Sequence, residues 1–361
     1  MRVLAPREVL VYGAGMSGMV AAYNLAVEGH EVLVRDQEPS YGGSSAFNPS
    51  LHTTPLDVAK TSDYVGIDLT DVFVPVSSLA LYFHDYEVPA PVAMSYHVER
   101  SSRPQSLDTL LYNKCLEAGV KFEFDSQLRA EDVAKLEPGT IIACGLNKPA
   151  YDYLNLPCVE WYAWMASGEA ESDPYAWIWL DECINEYGYI SFANGIYYNL
   201  LFAYGQEIPR EGLERYRSFM HRVRGMEEDD WEYVHGAAPA ASPDAPQLFR
   251  DGLIMCGTMS GSIDPFMGFG ISGALISGKV AAIAVTDREK ALEEFERFNR
   301  NFARAYEFKR GLWAELRSRV DILEDLARIL GPERTVMLLI EALRRWRKSS
   351  AIPGFSPLSC H

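Results

Sequence analysis

The sequence predicts an α/β protein. A parallel-stranded unit is interleaved with an antiparallel-sheet domain and followed by a helical C-terminal segment. Three observations carry this reading. Val9–Asp36 reads as strand, glycine turn, helix and strand. Trp161–Tyr204 is dense in aromatic residues that alternate with the period of a strand. Leu253–Ala284 reads as a second strand, a loop of spaced glycines and a helix of small residues. The chain has 361 residues, enough for a large core and, as a prior, two domains. With 48% hydrophobic and 23% charged residues it is globular. A net charge of −17 works against nucleic-acid binding, which needs a basic face.

In the first unit, Val9-Leu10-Val11-Tyr12 is a buried strand that ends in Gly13-Ala14-Gly15-Met16-Ser17-Gly18. A helix over Met19–Glu28 is punctuated by Gly29, and a second strand, Glu31–Arg35, closes on Asp36. This is the order a dinucleotide-binding βαβ unit requires. Gly13 permits the tight turn, Gly15 lets the backbone approach a pyrophosphate, and Gly18 lets helix and strand pack closely. The helix start offers N–H groups to the phosphates. Asp36 accepts from ribose hydroxyls, which argues against a 2′-phosphate. Beyond it, Gly42-Gly43 lets the backbone pass close to a ligand again, or is an ordinary surface turn.

A short helix over Asp57–Ser62 and strands over 73–76, 79–83 and 92–98 follow. Ser106–Gly119 is a helix with Ser106 as N-cap and Gly119 at its C-terminal end. Strands Val120–Phe124 and Ile141–Ile142, the latter running into Ala143-Cys144-Gly145, return to the parallel unit. The aromatic block, with Tyr175-Ala-Trp177-Ile-Trp179 and Tyr187-Gly-Tyr189-Ile-Ser-Phe192, is a set of antiparallel strands. One face packs a core and the other could roof a substrate cavity, although any single ring serves equally as core. Arg210–Arg224 is an amphipathic helix, 227–230 a solvated acidic run, and 236–246 a connector.

The second glycine signature is Leu253–Cys256, Gly257-Thr258, then Pro265-Phe266-Met267-Gly268-Phe269-Gly270-Ile271, then a helix to Ala284 small enough to lie tight on the sheet. Gly268 and Gly270 at a helix start present N–H groups to an anion or to an electron-rich ring edge. The last stretches, 288–308, 312–330 and 333–348, are helical. The basic end Arg344-Arg345-Trp346-Arg347-Lys348 complements the helix dipole, a reading preferred over peripheral membrane contact. No run approaches the roughly 20 apolar residues of a membrane span, and the first apolar run is too short for a signal peptide. The six cysteines form no C-x-x-C pair, which suits a reducing, cytoplasmic location and predicts no metal cluster.

Taken in order over Val9–Ala284, these motifs resemble the flavoprotein superfamily of aromatic hydroxylases and geranylgeranyl reductases. They are most similar to its geranylgeranyl-reductase branch. The resemblance rests on the N-terminal glycine motif, the double glycine, the Ser106-Leu107-Asp108-x-x-Leu111 helix, Ala143-x-Gly145 and Pro265-x-x-Gly268-x-Gly270-Ile271. It implies a Rossmann-like FAD-binding domain built from residues 1–60, 88–150 and 235–290. A substrate domain is then expected from 61–87 and 151–234, with a C-terminal helical segment over 291–361. It further implies FAD held by Gly13, Gly15, Ser17, Gly18, Asp36, Gln37, Gly43, Ser44, Arg103, Ala143, Gly145, Gly257, Thr258, Gly268, Phe269 and Gly270. Trp177, Tyr189 and Phe266 are the expected substrate contacts. Three departures stand out. Gly257-Thr258 replaces the family's Gly-Asp, Ala143-Cys144-Gly145 replaces the hydroxylases' Asp-Gly motif, and Tyr41 replaces a cysteine common in the reductases.

The expected function is that of an FAD-dependent oxidoreductase acting on a C–C bond, by ene reduction or dehydrogenation, of an apolar substrate of isoprenoid type, with an external electron donor or acceptor. The flavin supplies the redox chemistry and the protein positions the substrate. Reduction of an alkene also needs a proton, for which Tyr41 as donor and His52 as relay are the candidates. Either could equally be a structural polar residue. The alternatives are a flavin monooxygenase on an aromatic or polyketide-like substrate, and a non-catalytic binding protein in which Thr258 has cost the fold its flavin.

Overall fold

The computed structural model describes residues 7–44, 47–92, 95–226, 230–239 and 241–347, without the side chains of 339, 340 and 342–347. Its first sheet grows from the strand Glu8–Tyr12, whose Val9 and Val11 are buried. Six strands lie in the order Phe249–Arg250, Leu253–Met255, Ile141–Ile142, Glu8–Tyr12, Glu31–Arg35 and Lys121–Glu123. All pairs are parallel except the edge pair Phe249–Arg250 with Leu253–Met255. The chain leaves Glu8–Tyr12 toward Glu31–Arg35 on one side and returns as Ile141–Ile142 on the other. That reversal is the switch point at which open α/β sheets bind ligands.

The helix Met16–Val27 covers this sheet and is itself covered by Leu107–Glu117 and Ile271–Thr286. Small residues in the last helix let it lie against the first helix, where a plain sheet contact was expected. A Cβ at Gly278 would stand 2.6 Å from the Ser17 carbonyl oxygen. Ser106 caps its helix as expected, its side chain accepting from the Thr109 N–H. Asp57 likewise caps a helix, Val58–Val65, which packs on Ile271–Thr286 and so belongs with the parallel unit.

The second sheet has seven strands in the order Glu232–Ala238, Val159–Glu169, Ile196–Tyr204, Tyr187–Ala193, Tyr175–Leu180, Ser78–Phe83 and Tyr86–Ala90. All pairs are antiparallel except Tyr175–Leu180 with Ser78–Phe83. The expected division at residue 88 therefore falls inside a strand, and the connector expected over 236–246 begins as the end of one. One face of this sheet is closed by the helix Arg210–Arg224, whose Tyr216 and Phe219 pack on Trp177 and Trp179. The other face carries Trp161, Tyr189, Tyr198 and Phe202 toward the parallel unit. A three-stranded sheet, Ser50–Pro55, Ser95–Arg100 and Phe73–Pro75, lies between the two.

The C-terminal segment runs as Arg288–Asn299, Phe302–Phe308, a π-helical turn Lys309–Trp313, then Ala314–Arg317, Val320–Leu330 and Pro332–Arg347. No helix among the described residues is long and apolar enough to cross a membrane. The side chains of the basic end 344–348 and most of the acidic run 227–230 lie outside the described residues.

Candidate functional site

At the switch point the C-terminal ends of Glu8–Tyr12 and Ile141–Ile142 open into a cavity of about 730 Å³ that reaches across to the antiparallel sheet. Its two walls are built by different means. The parallel-sheet wall is mostly backbone, and its glycines divide by what a side chain there would meet. Gly13 has φ +113, and a Cβ would sit 2.2 Å from the Ala143 carbonyl oxygen. A Cβ at Gly18 would sit 1.9 Å from the Gly13 carbonyl oxygen. Both glycines are required by the protein itself, and Gly18 does not line the cavity. Gly15 has ordinary dihedrals and open space where its Cβ would be, so the protein alone gives no reason for glycine there. Its open side faces the cavity at the N-terminus of Met16–Val27, where helix N–H groups lack intrahelical partners.

Asp36 lies at the end of Glu31–Arg35. Its carboxylate accepts from the Ala14 N–H at 2.5 Å and from the Glu38 N–H at 2.8 Å. Burial raises its pKa and these two bonds partly offset the rise. Gln37 beside it accepts from Asn147 at 2.7 Å. At the far strand, Gly257 (φ +61) donates its N–H to Ser277 Oγ at 2.8 Å and turns the chain into Thr258. The Thr258 carbonyl accepts from Tyr151, but Thr258 Oγ1 is buried in the cavity wall with no protein partner. A buried hydroxyl with no partner among the described residues is one that a ligand or a bound water can satisfy.

The glycine loop differs in one detail from its expected form. The Gly268 N–H is already used by the Asp264 carbonyl, 3.0 Å away. Among the described residues no protein acceptor takes the N–H groups of Phe269, Gly270 or Ile271, which line the cavity at the start of Ile271–Thr286. The predicted dinucleotide therefore fits the residues present. There is an open glycine at a helix start, an acid at the end of Glu31–Arg35, an unpartnered hydroxyl beyond the end of Leu253–Met255, and free N–H groups at a second helix start.

The opposite wall is made of side chains, among them Phe47, Trp161, Ile178, Tyr187, Tyr189 and Tyr198. The tyrosine hydroxyls are already engaged, Tyr187 with the Met267 carbonyl, Tyr189 with Thr53 and Leu51, and Tyr198 with Met165. His52 stands in this wall with its ring 5.6 Å from that of Tyr198 and its Nε2 3.0 Å from Ser50 Oγ. Burial, and secondarily the nearby Arg100 cation, push its pKa down to about 3, so the imidazole is neutral. Arg100 lines the same cavity and donates to both oxygens of Asp108 at 3.2 and 2.8 Å. Burial works against its charge and Asp108 more than offsets that, leaving its pKa raised.

Of the residues expected from sequence, the cavity brings together Gly13, Gly15, Ser17, Asp36, Gln37, Tyr41, Gly43, Ser44, His52, Ala143, Gly145, Tyr189, Gly257, Thr258, Gly268, Phe269 and Gly270. Four others lie elsewhere. Trp177 is fully buried on the helix-facing side of its sheet, because strand alternation turns Ile178 to the cavity in its place. Phe266 points away and packs on Phe308 and Trp313. Arg103 donates to the Asn194 carbonyl and pairs with Glu99. Arg100, three positions earlier, lines the cavity, as do Arg35 and Lys148. Gly18, as above, serves packing. Tyr41 lines the cavity but stacks on Tyr112 at 4.1 Å, and Tyr112 in turn packs on Phe122 beside the edge strand. It is thus anchored to the edge of the parallel unit, away from the aromatic wall.

A family profile described as an NAD(P)-binding Rossmann-like domain matches residues 11–60. A putative flavin-containing monooxygenase, FMO GS-OX-like 10 of Arabidopsis thaliana, is 30% identical over 137 residues, covering 36% of this chain and 29% of that protein. The Arabidopsis flavin-containing monooxygenase FMO GS-OX2 is 37% identical over 62 residues, 17% of this chain and 14% of its own. The chain thus spans less than a third of the curated relatives it matches. Among solved structures, a geranylgeranyl bacteriochlorophyll reductase-like protein from Thermoplasma acidophilum superposes with a TM-score of 0.66 at 17% identity, covering 93% of this chain and 99% of that one. The p-nitrophenol 4-monooxygenase PnpA of Pseudomonas putida gives 0.61 at 14% identity, covering 94% and 98%. The flavin-dependent halogenase CmlS gives 0.59 at 16% identity, covering 85% and 63%. The chain has the fold these flavoproteins share.

Proposed function

We propose that this chain is an FAD-dependent oxidoreductase that acts on a C–C bond, by ene reduction or dehydrogenation, of an apolar and isoprenoid-like substrate. The observation that carries it is the single cavity joining a dinucleotide cradle to an aromatic and aliphatic wall. Gly15 and the start of Met16–Val27 hold the pyrophosphate, Asp36 the adenosine ribose, and Thr258 the ribityl chain. Phe269, Gly270 and Ile271 would offer their N–H groups to the flavin. When bound, FAD supplies the two-electron chemistry. The antiparallel sheet excludes water and orients the substrate through Ile178, Tyr189 and Trp161. His52, held neutral beside Ser50 Oγ, orients the substrate as a hydrogen-bond partner, and the proton that alkene reduction needs is drawn from solvent. Tyr41, anchored on Tyr112, serves the nucleotide half.

The partial matches to flavin-containing monooxygenases favour a second reading, a flavin monooxygenase, here taken to act on an aromatic or polyketide-like substrate. Ala143-Cys144-Gly145 weighs against it, since the hydroxylases' acid is missing there. The two readings separate on adding NADPH to the FAD-loaded protein and following flavin bleaching and oxygen uptake. Under the reductase reading, oxygen uptake stays at the rate of free reduced flavin, and anaerobic reduced protein converts a polyprenyl alkene. Rapid NADPH oxidation coupled to oxygen would establish the monooxygenase in its place.

A further inference from the structure

The loop that delivers Phe269 and Gly270 to the cavity is held from behind by two other parts of the chain. Asp264 Oδ2 accepts from the Met267 N–H at 2.7 Å, and Tyr187, from the antiparallel sheet, donates to the Met267 carbonyl at 2.7 Å. The preceding carbonyl, that of Phe266, accepts from Lys309 Nζ at 2.6 Å. Lys309 comes from the C-terminal segment. It also pairs with Glu186 at 2.5 Å, the two side chains being 12% and 6% exposed. Arg317, from the same segment, donates to the Glu186 carbonyl and fixes that end of the contact.

Lys309 opens the π-helical turn Lys309–Trp313, where Gly311 leaves helical geometry at φ −96 and ψ −106. Such turns are rare and concentrate at functional sites. Here the turn brings Phe308, Lys309 and Trp313 together around Phe266, with ring centroids 5.4 and 5.2 Å away. A buried ion pair is a weak stabilising device, because desolvation cancels most of its attraction. This pair has a second effect: it aims an ammonium donor at one backbone carbonyl, three residues before Phe269.

We propose that Lys309 is a positioning residue for the cofactor. By holding the Phe266 carbonyl it sets where the N–H groups of Phe269–Ile271 stand against the flavin ring. The inference rests on the FAD reading above. Preorganised donors at the ring edge favour the more electron-rich, reduced flavin over the oxidised form. Releasing the clamp therefore weakens binding of reduced flavin more than oxidised flavin.

The test is the midpoint potential of the full-length, FAD-loaded protein in Lys309→Met/Glu186→Gln, which removes both charges together and leaves none buried alone. The expected result is unchanged flavin content with a tenfold loss of preference for reduced flavin, read as a potential about 30 mV more negative. Arg310→Met, which removes an exposed neighbouring cation that stacks on Tyr306, should stay at the wild-type potential. If the double variant does not fold, Lys309→Leu/Glu186→Gln, which likewise removes the donor, is read in its place, with the same shift expected. An unchanged potential in a folded, flavin-loaded variant overturns the positioning role. Wild-type protein that takes up no FAD overturns the cofactor reading, and the positioning role with it.

Discussion

The two walls of the cavity are built on opposite principles. In the parallel wall the backbone makes the site, and each residue matters through what its Cβ would displace. In the antiparallel wall side chains make the site, and each residue matters through which face of the sheet it takes. Gly15 and Gly18 are three positions apart, yet one faces open space and the other the Gly13 carbonyl. Trp177 and Ile178 are adjacent, yet one is core and the other cavity wall. A residue's type alone therefore identifies neither wall.

The sharpest break in this comparison is expected within the antiparallel sheet. Trp177→Ala should cost about 3–5 kcal/mol of stability, as large aromatic truncations in cores do, and leave flavin affinity unchanged in the protein that folds. Ile178→Ala should cost less stability and alter substrate handling. Urea unfolding paired with flavin titration reads both, and equal effects on substrate handling would mean that the alternation is misread. Within the parallel wall, Gly18→Val should destabilise by about 1–3 kcal/mol or more, as overpacking does. Gly15→Val should fold normally and bind no FAD. Normal flavin content in folded Gly15→Val would remove the pyrophosphate from that glycine.

Smaller effects sharpen the contacts. Asp36→Ala should weaken FAD binding by about 1.5–3 kcal/mol without unfolding the protein, the worth of a hydrogen bond to a charged group. Thr258→Val should lose about 0.5–1.5 kcal/mol, a neutral hydrogen bond, while Thr258→Asp should be tolerated. Isothermal titration with FAD orders these variants. Equal affinity of the threonine and valine forms would show that Thr258 Oγ1 takes no bond from the cofactor.

The parallel wall was legible in the sequence because its signals are local. A strand, three glycines, a helix and Asp36 fall within one short run, and backbone geometry follows from spacing alone. Thr258 was also legible as a position, though its unpartnered hydroxyl was not. The antiparallel wall was legible only as a class of structure. Alternation along Tyr175–Leu180 was plain, but which phase faced the cavity depended on a helix, Arg210–Arg224, whose docking no local pattern states. Arg100 escaped notice for the same reason, since its partner Asp108 comes from another element. Phe266, expected at the substrate, is turned away for the same reason, packing on Trp313 of the C-terminal segment's π-helical turn.

That segment is also latched to the antiparallel sheet through a histidine. His84, at a hairpin turn with φ +50, places Nδ1 2.5 Å from Glu324 and Nε2 2.6 Å from Glu182. Asp181 lies close to this pair but already binds Arg215 at 2.7 Å, so the cluster needs no metal ion to balance its charge. Burial opposes a charge on His84, and the contacts to Glu182 and Glu324 outweigh it, raising its pKa. The stability this contributes is full below the unfolded histidine value of about 6.5. It is lost as pH rises through the higher folded value. His84→Asn, which tolerates the left-handed turn, should flatten the fall in thermal stability as pH rises above about 6.5. A wild-type slope that survives this substitution would place the titrating group elsewhere.

The central claim is that the cavity at the switch point holds FAD. The most direct measurement is the visible absorption spectrum of the folded wild-type protein after incubation with FAD and removal of unbound flavin, with Gly15→Val treated identically. The account predicts oxidised-flavin bands at near one equivalent in the wild type and none in the folded variant. A colourless wild-type protein, or equal flavin in both, would contradict it.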